Sequence, residues 1–356
     1  MIFLHAQMLS GQGAATEVLI NHEPYTIMII TRTPFRMSFF GGGTDYPAWV
    51  AQHGGAVLST TFDKYSYITC RWLPPFFDHK YHVTYSKMES AREISEIRHP
   101  AIKEILLCYE NGYEQGVEIH CDADLPSRSG LGSSSAFVVG LLQAMEGLRG
   151  RHVSPEWLAK EAIRYEQDVL KENVGSQDQV AAAFGGLNII HFPKDGGFSV
   201  EPLPLTAARK NLLNSHLLLL FTGFSRFSTV VAKAQVDKIK QNAEQLQIMR
   251  SMVDEAAEIL VSEKDIRLFG ELLHETWKLK RSLAQEVSTS DVDAIYETAR
   301  AHGAIGGKLL GAGGGGFIIL FVEPSRQNDV CRALSGLIRV PFKFEQEGSR
   351  IIYYRT

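Results

Sequence analysis

Along this chain hydrophobic residues first gather in strand-length runs, then recur at helical spacing, then return to strand runs. Met28-Ile29-Ile30 begins an apolar strand that runs into Pro34 and the glycine cluster Gly41-Gly42-Gly43. Ala56 to Trp72 is rich in β-branched and aromatic residues and reads as a strand or hairpin. Val117 to Ala123 alternates as a half-buried strand does and stops at Leu125-Pro126-Ser127, after which a helix opens around Gly130 to Ser135 and runs to about Gly147. Ser154-Pro155-Glu156 supplies an N-cap serine, a first-turn proline and an early acid, which predicts a helix to about Lys171. Gly185 to Phe192 and His216 to Phe221 read as strands. From Val230 to about Ser288 the pattern is helical, and Ser290 is expected to cap a further helix ending at Gly303. Phe317 to Val322 is a buried strand and Ile351 to Tyr354 closes the chain. No internal repeat or low-complexity segment interrupts this order.

With 356 residues the chain is long enough for two domains with hydrophobic cores. The shift in composition within Ala207 to Asn214 places a boundary near residue 210, giving units 28–210 and 211–356. Residues 1–27 show no clear periodicity and read as an extension or tag.

Composition then narrows the function classes. Hydrophobic residues make up 45% and charged residues 21%, ordinary for a globular protein. A formal charge of −4 argues against nucleic acid as the main partner, because such binders carry a basic face. Cys70, Cys108, Cys121 and Cys331 are scattered with no CxxC pair, which fits buried thiols in a reducing cytoplasm. The longest apolar run, Leu217 to Phe221, is strand-sized, well short of the ~20 residues of a membrane helix. The N-terminus has neither a basic region nor a continuous apolar core of the signal-peptide kind, so the expected location is cytoplasmic with no membrane partner. Whether the chain is a monomer or a homo-oligomer is not legible.

The chemistry concentrates in glycine-rich segments. In Ser129-Gly130-Leu131-Gly132-Ser133-Ser134-Ser135 the glycines allow close backbone approach, and the helix that follows aims its free N–H groups and positive dipole end at whatever sits there. That is an anion site suited to polyphosphate, and the three serines add oxygen donors for phosphate or magnesium. The alternative for the segment read alone is a glycine-rich turn with serine N-caps, and phosphate binding is the favoured reading of the two. No GxxxxGK[ST] loop occurs. Gly311 to Gly316 satisfies the letters G-x-G-x-x-G but precedes the strand Phe317 to Val322, where a dinucleotide loop follows a strand and opens a helix; that reading is rejected.

Three segments together resemble the signatures of the GHMP kinases, the family of galactokinase, homoserine kinase, mevalonate kinase and phosphomevalonate kinase. Thr33 to Tyr46 looks like the first motif, Leu125 to Ala136 like the phosphate-binding second, and Lys308 to Phe317 like the third. The resemblance covers the chain from about Met28 onward. It implies an α+β architecture, with an N-terminal domain like ribosomal protein S5 domain 2, a ferredoxin-like C-terminal domain, and ATP and substrate meeting between them.

The first motif departs from galactokinase, having Gly42 and Gly43 where galactokinase has an acidic residue and a histidine. Its form is similar to the heptose 7-phosphate kinase branch. That resemblance implies ATP- and Mg2+-dependent phosphorylation of the anomeric oxygen of D-glycero-D-manno-heptose 7-phosphate, giving a 1,7-bisphosphate for nucleotide-heptose and surface polysaccharide. The alternatives are a galactokinase- or fucokinase-like sugar 1-kinase, or a non-catalytic sugar or nucleotide sensor.

By motif position the resemblance assigns Asp178, in Gly175-Ser176-Gln177-Asp178-Gln179, as the catalytic carboxylate, acting as base or only orienting the acceptor. Arg36 is implied to keep that carboxylate ionised and to neutralise the transferred charge. Ser129 to Ser135 are implied to hold nucleotide, and Ser134 and Glu166 the metal. Gly42, Gly43, Thr44, Asp45, Asp178, Gly313 and Gly314 are implied to contact the sugar. Arg226 is expected to meet the 7-phosphate, because a planar fork suits bidentate phosphate contacts, with Lys308 and Arg128 as weaker alternatives.

Overall fold

The computed structural model describes residues 27–109, 115–127, 129–223 and 228–355. The expected extension, apart from Ile27, lies outside them, as do Arg128 and Arg226.

The strands are β1 (Met28–Phe40), β2 (Gly55–Leu73), β3 (Tyr81–Thr84), β4 (Met88–Ala91), β5 (Gly116–Ala123), β6 (Leu187–Phe192), β7 (Ser199–Pro202), β8 (Leu217–Phe221), β9 (Ala304–Leu309), β10 (Phe317–Val322), β11 (Ile338–Val340), β12 (Phe344–Glu345) and β13 (Arg350–Arg355). The α-helices are α1 (Pro47–His53), α2 (Pro100–Tyr109), α3 (Ser133–Leu148), α4 (Pro155–Arg164), α5 (Gln177–Phe184), α6 (Ala207–Ser215), α7 (Ser228–Asp237), α8 (Ala243–Val261), α9 (Arg267–Ser282), α10 (Ser290–Ala301) and α11 (Gln327–Ala333).

They build two sheets. The first runs β13-β1-β2-β5-β3-β4, with β6 and β12 also on β2 and β7 on β6; the second is antiparallel, β11-β8-β10-β9. The segment read as a strand or hairpin is the single strand β2, long enough to pair β6 through Gly55–Thr60 and β5 through Ser66–Leu73. β1 passes through Pro34 because the register with β2 shifts between Pro34 and Phe35, so the missing N–H falls at an irregularity.

Helix α3 packs on β1 and β2 and is buried along most of its length, which is why its apolar residues do not form a single stripe. Ser154 caps α4 by accepting the N–H of Trp157 at 3.1 Å, and the helix continues as a π turn, Tyr165–Val169. The cap of α10 is Thr289, not Ser290: its hydroxyl accepts the N–H of Val292 at 3.3 Å, and Ser290 is already helical. The glycines Gly311 to Gly316 join β9 to β10 as a hairpin connection and open no helix, which agrees with rejecting a dinucleotide fingerprint.

The two sheets share packing. Phe39 and Phe40 of β1 meet Phe269 of α9 edge-on, with ring centroids 5.4 and 5.1 Å apart, and all three are in one buried cluster. The chain end returns to the first sheet, β13 pairing β1 and β12 pairing β2. A plain cut into 28–210 and 211–356 therefore splits the strands of that sheet. We propose a boundary near residue 210 with 344–355 assigned to the first unit. No helix among the described residues is long and apolar enough to cross a membrane.

Candidate active site

Three glycine-containing connections converge. The loop before α3 lies against the β9–β10 connection so closely that a Cβ on Gly130, whose φ is +85°, would sit 2.4 Å from the Leu310 carbonyl oxygen. Phe317 donates its N–H to the Ser129 carbonyl at 3.2 Å. From β1, Arg36 donates its own N–H to the Leu131 carbonyl at 3.1 Å. Backbone contact thus fixes the second motif between the first and the third.

Arg36 is the hub. Its Nε donates to Oδ1 of Asp178 at 2.8 Å, one terminal nitrogen to Oδ2 at 2.7 Å, and the other to the Gly130 carbonyl at 2.7 Å. The arginine side chain is 5% exposed and the aspartate 25%, so the carboxylate keeps a face toward solvent while its charge is held by a buried fork. Asp178 stands in the first turn of α5.

Asp45 is buried at the end of the first motif. It accepts the N–H of Gly43 at 3.0 Å on Oδ1 and that of Gln177 at 3.3 Å on Oδ2, while Ser176 donates to its carbonyl at 3.1 Å. Only glycine fits at Gly175, where a Cβ would fall 1.9 Å from Oδ2 of Asp45. Burial and the neighbouring Asp178 raise the pKa of Asp45, against the hydrogen bonds that lower it.

Glu166, on the π turn, is wholly buried. Its Oε2 accepts the hydroxyl of Ser135 at 2.7 Å and a short hydrogen bond from Gln179, while Oε1 is buried without a partner. Burial pushes its pKa up to about 8. An orphaned carboxylate oxygen with a raised pKa fits a hard cation, which would supply the missing partner. Of the two neighbouring serines, it is Ser135, not the implied Ser134, that touches Glu166. Ser134 is exposed on the first turn of α3.

Some implied roles need correction. Thr44 is buried, and its hydroxyl donates toward the carbonyls of Gly41 (2.8 Å) and Ala56 (3.0 Å) and accepts the N–H of Ala56 (3.2 Å); it holds the turn and has no face for a sugar. The Gly43 amide is spent on Asp45. Gly313 packs on Val287 and Gly314 donates its N–H to the Val287 carbonyl at 3.0 Å, so these glycines shape the loop; Gly311 is the one against Gly130. Gly42 is partly exposed beside Ser38 and Gln177, whose Oγ and Oε1 are buried without partners. Ser129 and Leu131 are buried, while Gly130, Gly132 and Ser133 are partly exposed at the head of α3. Lys308 cannot meet a solvent-borne phosphate: it is buried and donates to the Phe39 carbonyl at 2.9 Å.

Lys280, in the last turn of α9, was not foreseen. It is buried and donates to the Leu309 carbonyl at 3.1 Å and, in a short bond, to that of Gly311. Burial lowers its pKa to about 7, Arg36 adds repulsion, and Asp45 and Asp178 oppose the shift. Nothing in its sequence context marks it; only the fold carries a helix lysine to the glycine loop.

Chemically, this is an arginine-held carboxylate beside a helix N-terminus, with a second buried carboxylate one helix away. Such a set can bind a polyphosphate, hold a cation and orient a hydroxyl. Two family models match the chain, GHMP kinases N terminal domain over residues 99–186 and GHMP kinases C terminal over 255–338. D-glycero-alpha-D-manno-heptose 7-phosphate kinase of Campylobacter jejuni is 28% identical over 332 residues, 90% of this chain and 97% of that protein. Mevalonate kinase of Pyrococcus horikoshii is 31% identical over 277 residues, 74% of this chain and 76% of that one. Among solved structures, a D-glycero-D-manno-heptose 1-phosphate kinase from Bacteriodes thetaiotaomicron superposes with a TM-score of 0.75 at 24% identity, covering 91% of this chain and 99% of that one.

Proposed function

This chain belongs to the GHMP kinase family, and from that premise we propose that it transfers the γ-phosphate of ATP to the anomeric hydroxyl of a heptose 7-phosphate, giving the 1,7-bisphosphate. The observation that carries the reading is the fork between Arg36 and Asp178, tied to the Gly130 carbonyl at the mouth of α3. The likeness to the Campylobacter heptose 7-phosphate kinase over nearly its whole length supports the choice of acceptor.

In this reading the polyphosphate lies against the head of α3, at Gly130, Gly132, Ser133 and Ser134, where the positive end of the helix dipole offsets its charge. Glu166, through its orphaned Oε1, would hold magnesium, with Ser134 as the hydroxyl donor that the motif implies, and the ion would supply charge neutralisation for the phosphates. Arg36 neutralises charge on the transferring group and fixes the Asp178 carboxylate in place through its fork. Asp178 orients the anomeric hydroxyl and takes its proton; that hydroxyl is more acidic than an ordinary alcohol, so a modest carboxylate suffices. Asp45 and the Gly42 backbone line the acceptor side, and Arg226 is proposed as the contact for the remote phosphate.

The test is an acceptor panel with the purified protein: heptose 7-phosphate, galactose, fucose and mevalonate, each with ATP and Mg2+, followed by ADP release and 31P NMR of the product. The reading predicts turnover on heptose 7-phosphate with a new anomeric phosphate resonance. Turnover on galactose or fucose alone would replace the acceptor; none on any, with nucleotide still bound, would favour a sensor.

A further inference from the structure

A second cluster of ligating side chains lies on the first sheet, outside the Arg36–Asp178 site. Along β5, Val117 and Ile119 point into the buried core, so Glu118 and His120 stand on the opposite face. β3 runs parallel to β5 and places His82 beside Glu118 and Thr84 beside His120. One ligand atom from each of His82, Glu118 and His120 lies within 4.8 Å of the others. Two imidazoles and a carboxylate on neighbouring strands are the donor set that zinc and similar divalent transition ions prefer.

The surroundings fit. His120 Nε2 is 2.8 Å from Oε1 of Glu118, while Arg71 of β2 holds Oε2 in a short ion pair and so turns Oε1 toward the imidazoles. His82 has a partner of the orienting kind, Ser90 Oγ, 3.1 Å from its Nδ1 on β4. A surface ion pair of Glu118 with His120 needs no second histidine. His82, its ring centroid 5.9 Å from that of His120, is what the simple pair leaves unexplained.

We propose that His82, Glu118 and His120 form a site for a divalent transition-metal ion of the zinc class, which clamps β3 to β5. A small closure brings the three atoms to the separation of about 3.3 Å that tetrahedral zinc with bonds of 2.0–2.1 Å requires. The residues are only half-buried, so a water can take the fourth position. β3 pairs with β5 over four residues, and a cross-strand metal link adds most where pairing is shortest.

The experiment uses untagged, chelator-treated protein titrated with Zn2+ against a chromogenic chelator, with thermal melts alongside. The proposal expects one zinc equivalent that survives Asp178→Asn, weakens at least about 100-fold in a His82→Ala/His120→Ala double variant, and raises the melting temperature of the wild type and of Asp178→Asn but not of the double variant. Kinase turnover of the double variant should equal that of the wild type. If the double variant fails to fold, Glu118→Gln, checked by circular dichroism, must weaken zinc at least about tenfold. Absence of a stoichiometric site, or zinc binding unchanged in the variants, would overturn the proposal.

Discussion

The guanidinium of Arg36 closes a fork on the carboxylate of Asp178, at 2.8 and 2.7 Å, and its remaining nitrogen reaches the Gly130 carbonyl at 2.7 Å. One side chain thus ties the proposed catalytic carboxylate to the loop that opens α3. Replacing Asp178 with Asn keeps the shape but removes the charge and one of the two bonds from Arg36, because the amide NH2 cannot accept. The expected outcome in steady-state kinetics is a fall in kcat of about 10²–10⁴, the usual worth of a general base, with nucleotide affinity within a few-fold of wild type by calorimetry.

Arg36→Lys retains a positive charge and loses the fork. A lysine ammonium cannot span two carboxylate oxygens and the Gly130 carbonyl at once. Two charge-assisted bonds at about 1.5 kcal/mol each predict a loss of roughly 100-fold in kcat/KM. A kcat/KM within threefold of wild type would show that charge alone matters.

Gly130→Ala tests the contact between loops. The new methyl meets the Leu310 carbonyl at 2.4 Å, and φ of +85° is strained for alanine. Backbone strain of about 1–3 kcal/mol should displace the loop, raising the KM for ATP at least about tenfold while the fold, followed by circular dichroism, persists.

Lys280 gives a pH dependence with a definite sign. Its folded pKa is near 7 against an ordinary value of 10.5, so between these values the unfolded chain binds a proton that the native chain does not. Stability contributed by this group therefore rises with pH from about 7 toward 10.5, and the cost of charging it is full below that window. Melting temperatures measured from pH 6.5 to 9 should climb more steeply for the wild type than for Lys280→Met. The variant leaves the Leu309 and Gly311 carbonyls unsatisfied, at a cost of about 1–3 kcal/mol.

Thr44 and Asp45, adjacent in sequence, should separate in experiment. Thr44→Val removes a buried hydroxyl from three backbone groups and should lower stability by about 1–3 kcal/mol with the acceptor KM unchanged. Asp45→Asn, on the proposed acceptor side, should raise that KM. If Thr44→Val alone raises it, the assignments reverse.

How far the sequence foretold the molecule follows from which signals are local. The cap at Ser154, the alternation of β5 and the glycine loop before α3 depend on neighbours in the chain, and each has its element in the structure. The cap at Thr289 was missed by one residue because both candidates are hydroxyl-bearing. The return of β13 to β1 depends on pairing across the whole chain, so composition near residue 210 could not reveal it. Within the site, motif position implies that Arg36 stands near Asp178, where the structure has the fork; the further bond from Arg36 to the Gly130 carbonyl has no signal in the motif. It could not say which hydroxyl reaches Glu166, that Thr44 is committed to backbone, or that Lys280 arrives from α9, because those outcomes are set by tertiary packing.

The account turns on where the nucleotide and acceptor meet. A crystal structure of the protein with a non-hydrolysable ATP analogue, Mg2+ and heptose 7-phosphate tests this directly. The prediction is a polyphosphate along Gly130 to Ser134, with the anomeric oxygen within hydrogen-bonding distance of Asp178 and the terminal phosphate beside Arg36. A nucleotide seated elsewhere, or an acceptor oxygen out of reach of Asp178, would contradict it.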